Sequence, residues 1–124
     1  MIGIAQAVLV ALLALAFVGM GVMHFVPSAA RGMAAMIPAR MRVLPARVLV
    51  QFTGVCEILG GIGLAVPATR LAAGIALIVF LVAVFPANVA AAKDPDRFGA
   101  VAIPFWPRWI GQVVLVLLVA LAIV

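Results

Sequence analysis

The sequence predicts an all-α fold, a transmembrane four-helix bundle, and composition and segment length are the observations that predict it. The 124 residues are 69% hydrophobic and only 9% charged, and their mean hydropathy is +1.45. Soluble domains are about half apolar and about a quarter charged. Four long apolar segments each approach the roughly 20 residues that a helix needs to cross a bilayer. We therefore expect a single integral membrane domain over residues 1–124, with the lipid bilayer as its surroundings.

The first two predicted spans cover residues 2–25 and 47–66. Pro27 should end the first helix, because proline lacks a backbone donor and clashes with the preceding turn. A cleaved signal peptide is the alternative for this segment, although its apolar run exceeds the roughly 7 to 15 residues typical of such peptides. Residues 28–45 hold three arginines and are expected to form a loop or a short helix lying in the membrane surface.

The last two predicted spans cover residues 71–92 and 107–124. A tight turn beginning at Pro67 makes the second and third helices an antiparallel hairpin. Pro86 should distort the third helix or end it early. Pro107 suits the first turn of the fourth helix, where a missing N–H has no cost.

The basic residues predict an orientation and exclude nucleic acid as a partner. Seven of the eight lysines and arginines lie in or beside the two long connections, and Arg70 alone lies on the other side. Because cytoplasmic loops carry the excess of basic residues, we expect both long loops in the cytoplasm and both termini outside, in the inner (plasma) membrane. The sequence pI is about 11.6, but the cations are scattered singly and form no face for a nucleic acid.

Glu57 is the most informative residue of the predicted bundle. It lies ten positions into the second span, about 15 Å from its start, and an acid there costs about 2.5 to 3.5 kcal/mol. Such residues turn towards the protein interior and usually mark a function. Thr53, Glu57, Gly61 and Ala65 follow at intervals of four and form a small-residue face. Glu57 should therefore point at a neighbouring helix.

Other polar side chains are expected in the same half of the bilayer as Glu57, around a polar cavity that opens towards the long loops. They are His24, Gln51, Asn88, Arg108 and Gln112. Each has a simpler interpretation as an interfacial residue or as hydrogen-bonding glue between helices. The single cysteine, Cys56, excludes an intramolecular disulfide and a multi-thiolate metal site, and we expect no metal.

Five short motifs resemble the DoxX-like family of small four-helix integral membrane proteins. They are G-x-x-H-F at 21–25, G-x-x-E-I-L-G-G-I-G-L at 54–64, R-x-A-A at 70–73, F-P-A-N at 85–88 and R-x-x-x-Q at 108–112. The resemblance implies a link with membrane redox or thiol-stress systems. Because some relatives use cysteine pairs, the lone Cys56 argues against direct disulfide chemistry in this chain.

Three functions follow from these expectations. The first is an accessory or anchoring subunit of a quinone-linked redox assembly, in which His24, Glu57 or Gln51 contacts a quinone headgroup. The second is a proton-coupled small-solute transporter, in which Glu57 alternately binds a proton and a cationic solute. The third is an assembly or structural factor, in which Glu57 only locks the helix packing.

The same residues limit what else is expected of the chain. A lone histidine cannot supply two axial haem ligands, and no covalently bound cofactor is expected. The sequence gives no ground for catalysis by the chain alone. The expected partners are a larger membrane complex or further copies of this chain, because its small-residue faces suit helix association.

Overall fold

The structure, a computed structural model, describes residues 3–36, 44–93 and 105–124, and within these ranges its helices are joined by short turns. The side chains at 36, 86–93, 105 and 106 are not described. The helices are α1 (Ile4–Met23), α2 (Pro27–Met36), α3 (Ala46–Ala65), α4 (Arg70–Lys93) and α5 (Phe105–Ile123). The all-α prediction is confirmed. The prediction of four helices is wrong, because α2 is a fifth helix in the described part of the chain.

The extra helix, α2, begins at Pro27, directly after the turn that ends α1. The chain leaves α1 through a tightened last turn, in which the N–H of Phe25 donates to the carbonyl oxygen of Val22 at 2.9 Å. Pro27 is then the first residue of α2, a position where its fixed φ suits a helix and its missing N–H is not needed. The alanines and methionines that follow have high helix propensity.

Helix α4 continues through Pro86 to Lys93, so the helix does not end early at this proline, which is one of the two outcomes expected there. Proline costs a helix one backbone hydrogen bond and can kink the helix without ending it. Helix α4 has 24 residues and continues past this position.

Two side chains close the hairpin between α3 and α4. The hydroxyl of Thr69 donates to the carbonyl oxygen of Gly63 at 2.8 Å. Nε of Arg70 donates to the carbonyl oxygen of Leu64 at 2.7 Å, and Nη2 donates to that of Ala65 at 3.4 Å. The last carbonyls of a helix have no partner within the helix, and a cation there also complements the helix dipole. Arg70 therefore caps α3.

The helices pack with α1 against α3 as the most extensive contact, α4 against both α3 and α5, and α5 also against α1. The core consists of buried aliphatic residues and one phenylalanine: Val10, Leu13, Phe17, Leu64, Leu77, Leu81, Val119 and Ala122. At one end of the bundle the amide of Gln6 donates to carbonyl oxygens of Leu121, Ala122 and Val124 at 3.1 to 3.2 Å. This contact joins the start of α1 to the end of α5.

Large apolar side chains cover much of the outer surface of the described bundle. Leu12, Leu59 and Leu117, on three different helices, are 61%, 63% and 58% exposed. Helices α1 and α3 are long and apolar enough to cross a membrane, by length and composition alone. The described apolar parts of α4 and α5, Arg70–Phe85 and Pro107–Ile123, are shorter.

Candidate functional site

Three glycines bring the backbones of α1 and α3 into close contact. A Cβ atom built on Gly21 would lie 2.7 Å from the carbonyl oxygen of Gly54. One built on Gly54 would lie 2.6 Å from Cβ of His24, and one built on Gly61 would lie 2.9 Å from a backbone oxygen of α1. No larger residue fits at these three positions unless the helices separate. The glycines thereby fix the register of α1 on α3, which places His24 beside Glu57.

His24 and Glu57 form a pair at the interface of α1 and α3. Nε2 of His24 lies 3.1 Å from Oε2 of Glu57, and Glu57 is only 7% exposed. Over the described residues Oε2 has no hydrogen-bond partner, although it lies this close to the ring nitrogen. A buried polar atom without such a partner is rare in folded proteins and calls for an explanation.

The other ring nitrogen of His24 determines which tautomer is present. Nδ1 lies 2.8 Å from the carbonyl oxygen of Val50 and 3.1 Å from Oγ1 of Thr53. The hydroxyl of Thr53 itself donates to the carbonyl of Val50 at 2.9 Å. A carbonyl oxygen can only accept, so we assign the hydrogen to Nδ1 on the basis of these partners.

This assignment has a chemical consequence for the pair. When His24 is neutral, Nε2 presents a lone pair to Glu57. A carboxylate oxygen also presents only lone pairs, and the two atoms at 3.1 Å would repel each other. The arrangement is favourable when the pair carries one proton, either as imidazolium with carboxylate or as imidazole with carboxylic acid. The geometry therefore suits a site that holds a single proton.

Glu57 lies level with the end of α1. It is in the middle of α3 by residue count, but it contacts the residue that caps the C-terminus of α1. The chain then turns back, and α2 packs against α3. The predicted depth of Glu57, about 15 Å from the start of its helix, follows from α3 alone. It therefore does not indicate that Glu57 is close to the turn between α1 and α2.

A pocket of about 390 Å³ lies beside the pair, between α2 and the first two turns of α3. Its lining consists of His24, Phe25, Pro27, Ala30, Arg31, Ala34, Arg47, Val50 and Gln51. None of these lining residues is acidic. Glu57 is not part of the lining, so the imidazole of His24 separates the acid from the pocket.

The remaining predicted residues lie elsewhere or outside the described side chains. Gln51 shares the pocket with His24. Gln112 lines a separate, mainly apolar groove of about 420 Å³ between α4 and α5. Arg108 is partly buried near the start of α5. The side chain of Asn88 lies outside the described residues.

Sequence reasoning missed several contributors to the site. Thr53 was assigned only to the packing face, yet Val50, Thr53 and Glu57 follow at intervals of three and four and so share one side of a helix. The sequence does not predict that Arg31 belongs to the site, because Arg31 shares a pocket with Arg47 only where α2 packs against α3. Over the described ranges, no group of three or more His, Cys, Asp or Glu is placed to hold a metal ion.

The comparisons with known proteins identify one family. A family described as a domain of unknown function (DUF8561) matches residues 13–123. No curated protein matches the chain, and no solved structure does. The expected resemblance to the DoxX-like family is therefore wrong. Its motifs consist largely of small and apolar residues, which are common to transmembrane helices in general.

Proposed function

Because the chain belongs to DUF8561, a family of unknown function, we propose its function from the geometry of the His24–Glu57 pair. The proposed function is that of a membrane-embedded, proton-coupled transporter of a small solute, in which this pair binds and releases one proton. The observation that carries the proposal is the position of Oε2 of Glu57. This atom is buried with no hydrogen-bond partner over the described residues, and it lies 3.1 Å from Nε2 of His24, whose Nδ1 contacts the carbonyl oxygen of Val50.

The apolar exterior supports the membrane part of the proposal. Large apolar side chains cover the outward faces of the four long helices, as Leu12, Leu59 and Leu117 illustrate. A helix that is hydrophobic all round is suited to lipid or to a protein interior, and a surface of this kind in water would drive association. We retain the expected inner-membrane location with cytoplasmic long loops, which depends on the distribution of basic residues alone.

The proton chemistry follows from the charge of the pair. With one proton the pair has no net charge, whichever residue holds it. Loss of that proton leaves a buried negative charge, and gain of a second proton leaves a buried positive charge; both are costly. A charged solute nearby shifts this balance, and the coupling is reciprocal, so the proton also changes the affinity for the solute.

A structural role is the second candidate, and the tight contact of Gly54 with His24 favours it. In that case the pair only locks α1 onto α3. The expected redox-subunit function, with a quinone at His24, Glu57 or Gln51, depended on the DoxX-like resemblance, and we rank it last for that reason.

Infrared difference spectroscopy of the full chain in lipid nanodiscs tests the proton site. We expect a carboxyl band that changes with pH, is absent in Glu57→Gln, and persists in Asp94→Asn and Asp96→Asn, which remove the other two acids of the sequence. Proteoliposomes under an imposed proton gradient then test for coupled uptake. If the titrating band persists in Glu57→Gln, the proposed proton site is wrong. If the band is lost in Glu57→Gln while uptake continues, the His24–Glu57 pair has a structural role and does not couple the proton to uptake.

A further inference from the structure

We propose that the pocket between α2 and α3 binds an oxyanion of the phosphate or sulfate type, and that it binds this anion together with the proton of the His24–Glu57 pair. The inference deepens the proposed function by naming the class of solute. The pocket itself stands on separate observations, so anion binding can be tested without the proton site.

Two guanidinium groups give the pocket its charge. Arg31 on α2 and Arg47 in the first turn of α3 both line it, and the amide of Gln51 is a third polar group. Guanidinium carries five N–H donors in a rigid planar arrangement and remains charged, which suits the oxygens of phosphate or sulfate. None of the described lining residues is acidic, so the lining holds no carboxylate to neutralise the two cations.

The start of α3 adds to this charge. Its N-cap, Pro45, makes no side-chain capping hydrogen bond, and its first turn contains no acidic residue. The first N–H groups of a helix have no partner within the helix, and the helix dipole favours an anion beside them. Arg47 lies in this turn, so its guanidinium and the helix terminus favour the same sign of ligand.

The remaining lining indicates the shape of the ligand. Phe25, Pro27, Ala30, Ala34 and Val50 form an apolar wall, and the pocket measures about 390 Å³. This volume exceeds that of a bare inorganic anion and matches the lower range of small-molecule sites. The ligand therefore combines an anionic head with a modest apolar part, which describes either a free organic phosphate or the headgroup region of an anionic lipid.

His24 connects this pocket to the acid. His24 lines the pocket, and its Nε2 lies 3.1 Å from Oε2 of Glu57. An anion in the pocket stabilises the imidazolium form and so favours retention of a proton. The expectation of a cationic solute, drawn from Glu57 alone, is replaced here, because the charges that line the pocket favour an anion.

Calorimetric titration of the full chain in maltoside micelles distinguishes the two sources of the anion. One arm adds inorganic phosphate and the other adds a short-chain phosphatidic acid. We expect at least one of them to bind. We further expect Arg31→Gln and Arg47→Gln each to weaken that binding by about tenfold, the size of one lost charge-assisted hydrogen bond. Arg70→Gln, which removes the same charge at the other end of α3, should leave the affinity unchanged.

Each result of this titration has a definite meaning. Binding of phosphate identifies a free anion, and binding of the lipid alone identifies a headgroup. If neither binds, or if Arg70→Gln weakens binding as much as the two pocket variants do, the inference is wrong.

Proton linkage is measured with sulfate, which carries no titrating proton near neutral pH. Titrations in buffers of different ionisation enthalpy give the number of protons taken up on binding. We expect uptake in the wild type and a reduced value in Glu57→Gln. Sulfate binding without proton uptake would overturn both the linkage and the proton site, but it would retain the anion pocket. Proton uptake that is unchanged in Glu57→Gln would show that the proton does not go to the His24–Glu57 pair.

Discussion

Gly54 lies directly against His24, so closely that a Cβ atom on the glycine would be 2.6 Å from Cβ of the histidine. The same added atom would lie 3.0 Å from the carbonyl oxygen of Gly21. Neither neighbour is the end of a flexible side chain. The position of the imidazole beside Glu57 therefore depends on the absence of a side chain one turn earlier in α3.

Gly54→Ala should weaken the bundle. Overpacking of this kind costs about 1 to 3 kcal/mol, whereas alanine in an open helix position stabilises by about 1 kcal/mol relative to glycine. Gly19→Ala is the matched control, because no atom lies within 4 Å of its added Cβ. Denaturant unfolding in one detergent should show a loss of stability for position 54 and none for position 19. Equal effects at the two sites would contradict the close contact.

Glu57→Gln and Glu57→Leu should differ in stability. Because Nδ1 of His24 donates to Val50, Nε2 is left as an acceptor, and the amide of glutamine can donate to it. Leucine cannot, and an unpaired buried polar atom costs about 1 to 3 kcal/mol. We expect the unfolding free energy to fall clearly for leucine and little for glutamine. A leucine variant as stable as the glutamine variant would mean that Nε2 of His24 does not depend on a hydrogen bond from position 57.

Thr53→Val should move the proton of the pair towards Glu57. Oγ1 of Thr53 accepts from Nδ1 of His24, which supports the imidazolium form, and valine removes that acceptor. The infrared band of protonated carboxyl should therefore grow at a given pH, with a loss of stability of about 0.5 to 1.5 kcal/mol.

Thr69→Val is the control for this effect. It also removes a hydroxyl that donates to the backbone, but in the turn at the other end of α3. Its stability should fall by a similar amount while the carboxyl band stays as in the wild type. A band that changes equally in both variants would indicate a general loosening of the bundle.

Leu59→Arg tests the membrane environment. Leu59 is 63% exposed in the second half of α3, and an arginine facing lipid there costs about 2.5 to 3.5 kcal/mol on insertion scales. We expect this variant to be depleted from carbonate-washed membranes, while Val124→Arg, at the exposed end of the chain, stays with the membrane fraction. Release of the wild type by carbonate would refute integral insertion.

The sequence was sufficient for the helical class and for the prediction that Glu57 points at a neighbouring helix. The sequence did not identify which residue pairs with Glu57. Among Gln51, Gln112, His24 and Arg108, the residues nearest in expected depth, the structure brings His24 to the acid. Spacing along one helix identifies which residues share a face, but the register between two helices is set by how closely their backbones approach.

The predicted packing face of α3 illustrates the same limit. Intervals of four residues advance about 40° around a helix at each step, so a face drawn from Thr53 turns away by Ala65. The buried positions instead alternate intervals of three and four, and Ala65 is exposed. They are Val50, Gly54, Glu57, Gly61 and Leu64. The glycines in this set, rather than the polar residues, determine the geometry of the site.

The glycine contacts along α1 and α3 also restrict how the bundle can move. Two helices packed backbone to backbone through Gly21, Gly54 and Gly61 cannot slide or tilt against each other without a collision, so they should travel as one rigid body. Any opening that lets a solute pass must then come from α2, α4 or α5. Spin labels on α1 and α3 should keep a constant separation through the transport cycle. A pair of labels on α3 and α5 should instead report the movement of α5 relative to α3.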